Sequence, residues 1–234
     1  MHIRTLILPF VLLAIGAAPA PQERRIQLTG FERVRVDGPF VVRVIPGSAT
    51  ATITGGRGAI ERVSIRNQGN TLVVGVSTST WEGWREKDGV ATITVATPRL
   101  RAANINGGGK LDIEAMTSQR IDLGVNGTGS LSIGKLTADH LVTTLTGTGM
   151  IKVAGGSARN ARFMNYGAGS IDAGGLAVND LTVHSQSAGD SRFLARFTAT
   201  VSVLGIGAVR VDGNATCRLG GPGPATCAGK TERR

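Results

Sequence analysis

The chain predicts an all-β fold, a single-stranded parallel β-helix (solenoid) with about 20 residues per C-terminal rung, and two regularities predict it. The tripeptide Gly-x-Gly returns on a fixed beat, with Gly107/Gly109, Gly127/Gly129, Gly147/Gly149 and Gly167/Gly169 at intervals of 20. The apolar residues keep phase with it. Four and six positions after the first glycine stand Leu111/Ile113, Leu131/Ile133, Ile151/Val153 and Ile171/Ala173; fourteen and sixteen after it stand Ile121/Leu123, Leu141/Thr143, Ala161/Phe163 and Leu181/Val183. Alternation at period two marks strands, and a unit this small buries its apolar face only against stacked neighbours. A fifth copy, Ser187-Ala188-Gly189, keeps the beat, and a sixth, Gly205 to Gly207, arrives two residues early.

Taken in order, residues 1–20 read as a secretory signal peptide: His2 and Arg4 precede an apolar run from Leu6 to Ala18, and small residues follow. No twin-arginine pair and no cysteine lies near the expected cut, so the leader reads as general-secretory without a lipid anchor. No later stretch approaches the roughly 20 apolar residues that a membrane span needs. The mature chain is therefore expected in the periplasm or secreted, without a membrane span.

About 214 residues remain, enough for one elongated domain with a real core. The 34 glycines of the chain beside 9 aromatics point to tight turns between aliphatic strands. Without Arg4, 25 Lys+Arg stand against 16 Asp+Glu. This excess reads either as a solvated arginine-rich surface or as attraction to an anionic glycan or envelope polymer. Nucleic acid is not an expected partner, because basic segments interleaved with aromatic stacking platforms are missing.

From Gln27 to Ala96 short β runs continue on a looser beat: 31–36, 40–45, 51–54, 63–65, 72–76 and 90–96. Between them lie turn formers, Asp37-Gly38-Pro39, Pro46-Gly47 and a hairpin-like Gly69-Asn70. About four looser rungs are expected here, ahead of the six regular ones, with no helix. The strands from Phe31-Glu-Arg-Val-Arg-Val-Asp-Gly-Pro-Phe40-Val-Val-Arg-Val, through Gly69-Asn-Thr-Leu-Val-Val, to Thr92-Ile-Thr-Val-Ala-Thr-Pro-Arg-Leu100 lead into the glycine-centred repeats. In this order of elements the chain resembles the auto-transporter adhesin head GIN domain family over residues 27–211. The resemblance implies a pectin-lyase-like β-helix whose Gly-x-Gly tripeptides turn between two sheets, and an adhesive role. The division that follows is a GIN-type solenoid over 21–216 and a disulfide-linked cap with a basic tail over 217–234. The end, Gly229-Lys-Thr-Glu-Arg-Arg234, carries neither a terminal aromatic nor barrel-like strands, so self-export through an outer membrane is not expected.

The glycines read as corner residues. Gly-x-Gly supplies φ > 0 where stacked copies leave no room for Cβ, at Gly107, Gly109, Gly127, Gly129, Gly147, Gly149, Gly167, Gly169, Gly205 and Gly207. A phosphate-binding loop is the rival, but no copy extends to Gly-x-Gly-x-x-Gly and each precedes a strand.

The phase also names outward rows. Asp112, Ser132, Lys152, Asp172, Arg192 and Arg210 stand five after each first glycine, forming either an ion ladder or a charged groove. Asn106, Asn126, Thr146, Tyr166 and Gln186 precede each glycine and read as a ladder satisfying backbone groups.

His140 and His184 have no metal-ligand spacing, and Asp112, Asp139, Asp172 and Asp180 form no motif, so no catalytic residue, metal or cofactor is named and the chain is read as a non-enzyme. The alternative is a lyase- or hydrolase-type carbohydrate-active enzyme on the same scaffold. Trp81 and Trp84 sit beside Arg85 and Lys87 in a polar insertion between two strands. They suit either ligand stacking or covering the coil. The ligand-binding candidates are these four residues with Lys152, Arg192 and Arg210. Cys217 and Cys227 are expected to pair in an oxidising compartment.

Overall fold

The computed structural model describes residues 22–77 and 89–233; the signal peptide assignment lies outside them. Along the described chain run β1 (Gln22–Gln27), β2 (Arg33–Asp37), β3 (Val41–Pro46), β4 (Thr50–Gly55), α1 (Arg57–Glu61), β5 (Val63–Gln68), β6 (Thr71–Val76), β7 (Thr92–Thr97) and β8 (Ala102–Gly107). The repeats follow as β9 (Lys110–Gly127), β10 (Ser130–Gly147), β11 (Met150–Val153), β12 (Gly156–Gly167), β13 (Ser170–Ser187), β14 (Ser191–Val203), β15 (Val209–Asp212), β16 (Thr216–Gly220), β17 (Ala225–Cys227) and β18 (Thr231–Arg233). The fold is the expected parallel β-solenoid.

Two long sheets run the length of the coil. The first orders its strands β5, β6, β2, β8, β9, β10, β12, β13, β14, β16, β18, the long strands entering by their C-terminal parts. The second orders them β1, β4, β7, β3, β9, β10, β11, β13, β14, β15, β17, the long strands entering by their N-terminal parts. At about 4.8 Å per strand each sheet is roughly 50 Å long. The predicted inward pairs are in register and buried: Leu111, Leu131 and Ile151 stack on one side, and Ile121, Leu141 and Ala161 on the other.

A third, short side separates the two sheets. In β9 two consecutive exposed residues mark each bend, Glu114-Ala115 and Gln119-Arg120, with only Met116 fully inward between them. Later rungs bury Leu136 with Ala138, and Leu176 with Ala177 and Val178, so the third side shows no constant alternation to read, which is why two strands per unit were expected.

The looser N-terminal region departs further from expectation. Chain order is not rung order: the β2–β3 rung lies between the β6–β7 rung and the β8–β9 rung, since β2 pairs with both β6 and β8 and β3 with both β7 and β9. The outermost strands then turn antiparallel, β5 on β6 through the Gly69-Asn70 turn, β4 on β7 and β1 on β4. A helix does form. α1 is a single turn that buries Ala59 and Ile60 against the last rung, too short to show a helical period.

Towards the C-terminus the rungs shorten. Leu111, Leu131, Ile151, Ile171 and Ser191 are in register at steps of 20, Ser191 to Val209 is 18, Val209 to Ala225 is 16, and Cys217 to Thr231 is 14. Parallel pairing therefore runs on through 217–233, where a separate cap had been expected. Gly221-Pro222-Gly223 is a seventh corner, with φ +93° at Gly221, hidden in the sequence by the shortened step. Inside, the Phe163 and Phe193 rings meet at a centroid distance of 4.7 Å and a tilt of 49°, filling the core where the column between Val153 and Phe193 narrows to Ala173.

Candidate functional site

Every surface row of the repeats is hung on the Gly-x-Gly corner. Gly107, Gly127, Gly147 and Gly167 hold φ between +101° and +119°, as expected. Their partners do not: Gly109, Gly129, Gly149 and Gly169 lie outside the left-handed region, as do Gly205 and Gly207. What the second glycine supplies is space. A Cβ on Gly149 would sit 2.4 Å from the Gly129 carbonyl oxygen, and one on Gly207 2.3 Å from that of Gly189. Thr148 N and Gly149 N both donate to Gly127 O at 3.0 Å, so the corner is stitched rung to rung.

At the fifth copy a hydroxyl takes over. Ser187 Oγ donates to Gly169 O (2.8 Å) and accepts from Gly189 N (3.1 Å). Asn165 Nδ2 donates to the same Gly169 O (2.9 Å) and to Ser191 Oγ (3.3 Å). Asn165 and Ser185 are buried in the column where earlier rungs place Ile105, Val125 and Leu145. The sequence signal for this polar corner is the break from aliphatic to Asn and Ser at a fixed phase.

The outward row on the second sheet is in register, Arg43, Asp112, Ser132, Lys152, Asp172, Arg192 and Arg210 following one another rung by rung. Its ion pairs are not those that alternating signs suggest. Arg192 Nε donates to Asp212 Oδ2 (2.7 Å) and Arg210 Nε to Asp212 Oδ1 (2.8 Å), so one carboxylate two residues along holds both guanidinium groups. Asp172 Oδ1 instead accepts from Gly174 N (3.2 Å). The Arg210 hydrogen bond, then that of Arg192, holds the Asp212 carboxyl below the usual carboxylate range. The same Asp212 bond raises the Arg192 guanidinium. Lys152 has no ion-pair partner among the described residues.

The row before the glycines is also in register, Asn106, Asn126, Thr146, Tyr166 and Gln186. Its bonds run between side chains and not to the backbone: Asn106 Nδ2 donates to Asp37 Oδ1 (2.7 Å), and Gln186 Nε2 lies 3.0 Å from His184 Nε2, whose ring is 6.0 Å from that of Tyr166. These side chains face solvent, where backbone groups already committed to the ladder are out of reach.

The carboxylates considered for catalysis stand apart. Asp112 pairs with Lys110 (3.2 Å), Asp139 with Arg159 (3.7 Å), and Asp180 accepts from Thr198 Oγ1 (2.6 Å). His140 is exposed at a bend, whereas His184 lies half-buried in the first sheet, in register with Met164 and Ser202. Cys217 and Cys227 are joined, linking β16 to β17 across the last corner, and the bond fits an extracytoplasmic protein.

Trp81, Trp84, Arg85 and Lys87 lie outside the described residues. The strands that flank them are β6 and β7, whose neighbours β2 and β3 are joined by Gly38-Pro39-Phe40 on the corner line.

No curated protein matches the chain. Solved structures similar in fold include a putative adhesin from Bacteroides fragilis NCTC 9343, at 22% identity and a TM-score of 0.79 over 92% of this chain and 98% of that one. Two others are putative adhesins from Parabacteroides distasonis ATCC 8503 (18%, TM-score 0.67, covering 92% and 97%) and Parabacteroides merdae ATCC 43184 (16%, TM-score 0.62, covering 91% and 96%). Residues 30–215, which span the coil from its first rung to the approach of β16, match the profile described as "Putative auto-transporter adhesin, head GIN domain", and the chain belongs to that family.

Proposed function

We propose that this chain is an exported, non-catalytic binding module of the cell envelope that adheres to an anionic glycan or envelope polymer. The observation that carries the reading is the second-sheet row: Lys152, Arg192 and Arg210 stand exposed at regular rung positions, with Asp212 shared between two arginines and Lys152 unpaired among the described residues. Three exposed cations on one flat face, with Asp172 between Lys152 and Arg192, leave a net positive strip that suits an anionic polymer, with attraction that salt screens. The leader over 1–20 and the Cys217–Cys227 bond support export.

Retention on immobilised polygalacturonate and on lipopolysaccharide, followed against salt with a neutral glucan as control, tests the reading. Acidic ligands should retain the protein and release it as salt rises. Lys152→Ala with Arg192→Ala and Arg210→Ala should lower the affinity several-fold and flatten the salt dependence. Equal retention on the neutral glucan, or none on the acidic ligands, overturns the reading. Release of new sugar ends from the same substrates would put the lyase or hydrolase alternative in its place. Trp81→Ala with Trp84→Ala locates the insertion: lost retention with an unchanged melting temperature assigns it ligand contact, and a large fall in melting temperature assigns it to the core or cap.

A further inference from the structure

The register of β13 against β14 slips at two points, between Ala173 and Ala177 and again between Val178 and Asp180. Val178 faces Ala195 and Asp180 faces Thr198, so Asn179 stands opposite both Arg196 and Phe197. A bulge of this kind adds one residue, bends the strand and re-aims a side chain. Phe197 is turned outward and is 63% exposed.

Beside it Arg196 closes one end of a trough of ≈ 470 Å³ that crosses the rungs on the short third side of the coil. Its wall takes one residue from each of five successive rungs, Gln119, Asp139, Arg159, Asn179 and Arg196. The floor is low because Ala138 and Ala158, small and buried, stand between the bends, with Thr137 and Ser157 next to them. None of these residues belongs to the second-sheet row, and none carries a periodic glycine signal that would single it out in the sequence.

We infer that this trough seats a linear acidic glycan, lying along the coil axis with its units in step with the rungs. The inference rests on the binding role proposed above and gives the ligand chain a place. Rungs about 4.8 Å apart match the advance of a sugar unit in an extended glycan, and five rungs span roughly 19 Å. Amide, carboxylate and guanidinium groups are planar hydrogen-bonding surfaces suited to ring hydroxyls. Charge sets the class of glycan. Arg159 is engaged with Asp139 at 3.7 Å, whereas Arg196 has no ion-pair partner among the described residues, so a guanidinium fork is free for a carboxylate. Phe197 next to it offers a flat apolar face for a sugar ring. A single-stranded nucleic acid would call for an aromatic at successive positions, and the wall holds polar residues there instead.

Isothermal titration with oligogalacturonates of increasing length, and with cello-oligosaccharides as the neutral control, tests the site. Affinity should rise with length and level off near about four to five units, the reach of five rungs. Arg196→Ala with Phe197→Ala should weaken oligogalacturonate binding by about tenfold or more, with unchanged circular dichroism. Thr137→Glu, an exposed position on the floor, should weaken it as well, whereas Thr137→Lys should not. The triple alanine variant of Lys152, Arg192 and Arg210 should keep the length dependence. Trough variants that bind like the parent, while the triple variant loses binding, overturn the trough and leave the binding role standing. A parent protein that binds no acidic oligosaccharide or polymer overturns both.

Discussion

Arg192 Nε donates to Asp212 Oδ2 at 2.7 Å, although its register neighbours on either side are the carboxylate of Asp172 and the guanidinium of Arg210. Asp172 accepts from the Gly174 backbone, and Asp212 accepts from both arginines at once. Two like charges at rung spacing are thus tolerated because a single carboxylate lies between them. Because the Asp212 carboxyl titrates below its ordinary range, its contribution is present above about pH 4 and is lost as pH falls through the lower folded value. Asp212→Asn should cost about 1 kcal/mol or less at pH 7, since both arginines are well exposed. It should also flatten the acid limb. Urea midpoints at pH 7 and pH 3 measure both, and an acid limb as steep in the variant as in the parent contradicts the assignment.

The corner predicts a second outcome. Gly147 combines φ +112° with a Cβ position 2.5 Å from the Gly127 carbonyl oxygen, so Gly147→Val meets both a backbone and a packing penalty. A loss of about 2–3 kcal/mol is expected in denaturant unfolding. Gly30→Ala, where an added Cβ meets nothing within 4 Å, is the control and should change little. An unchanged midpoint for Gly147→Val removes the strain argument.

Buried hydroxyls without partners predict the opposite sign. Thr143 is fully buried between Leu123 and Phe163, and its Oγ1 has no hydrogen-bond partner. Thr143→Val exchanges an unpaired hydroxyl for a methyl of the same shape and should stabilise by about 1 kcal/mol. Asn165→Leu removes the bonds to Gly169 O and Ser191 Oγ and should destabilise by about 1–2 kcal/mol. Thermal unfolding of the two variants should move in opposite directions; a Thr143→Val variant that melts lower than the parent counts against the account.

The disulfide gives the fourth prediction. Cys217 is fully buried and Cys227 partly so, on strands that stack on different sheets. Closing a loop of this length contributes roughly 3 kcal/mol on the chain-entropy model. Reduction, or Cys217→Ser with Cys227→Ser, should lower stability by that order and loosen the last rungs first, read as faster amide exchange in β16 to β18. Two free thiols in the protein purified without reductant, or an exchange pattern unaltered by reduction, would refute it.

The coil itself was legible because its cause is local and repeated. A glycine pair every 20 residues with apolar residues at period two leaves one architecture in which stacked copies share a core, so the register from Leu111 to Ile171 could be read by counting. The same counting placed Asp112, Ser132, Lys152, Asp172, Arg192 and Arg210 in one row, whereas the Cys217–Cys227 pair was expected from an oxidising compartment and the short separation of the two cysteines. Where period and phase persist, residue type alone carries the fold.

Tertiary structure decided what depends on contacts between residues that no period connects. The β2–β3 rung is placed inside the stack by pairings to chain segments on both sides of it, and α1 forms because Ala59 and Ile60 find the open end of the core. Asp212 takes both arginines because side-chain reach, unlike register, is not written in spacing. The trough from Gln119 to Arg196 exists only once five bends are stacked and a bulge has turned Phe197 outward. Parallel backbone pairing repeats at a fixed step and so leaves a period in the sequence; bends, bulges and salt bridges satisfy local geometry one rung at a time and leave none.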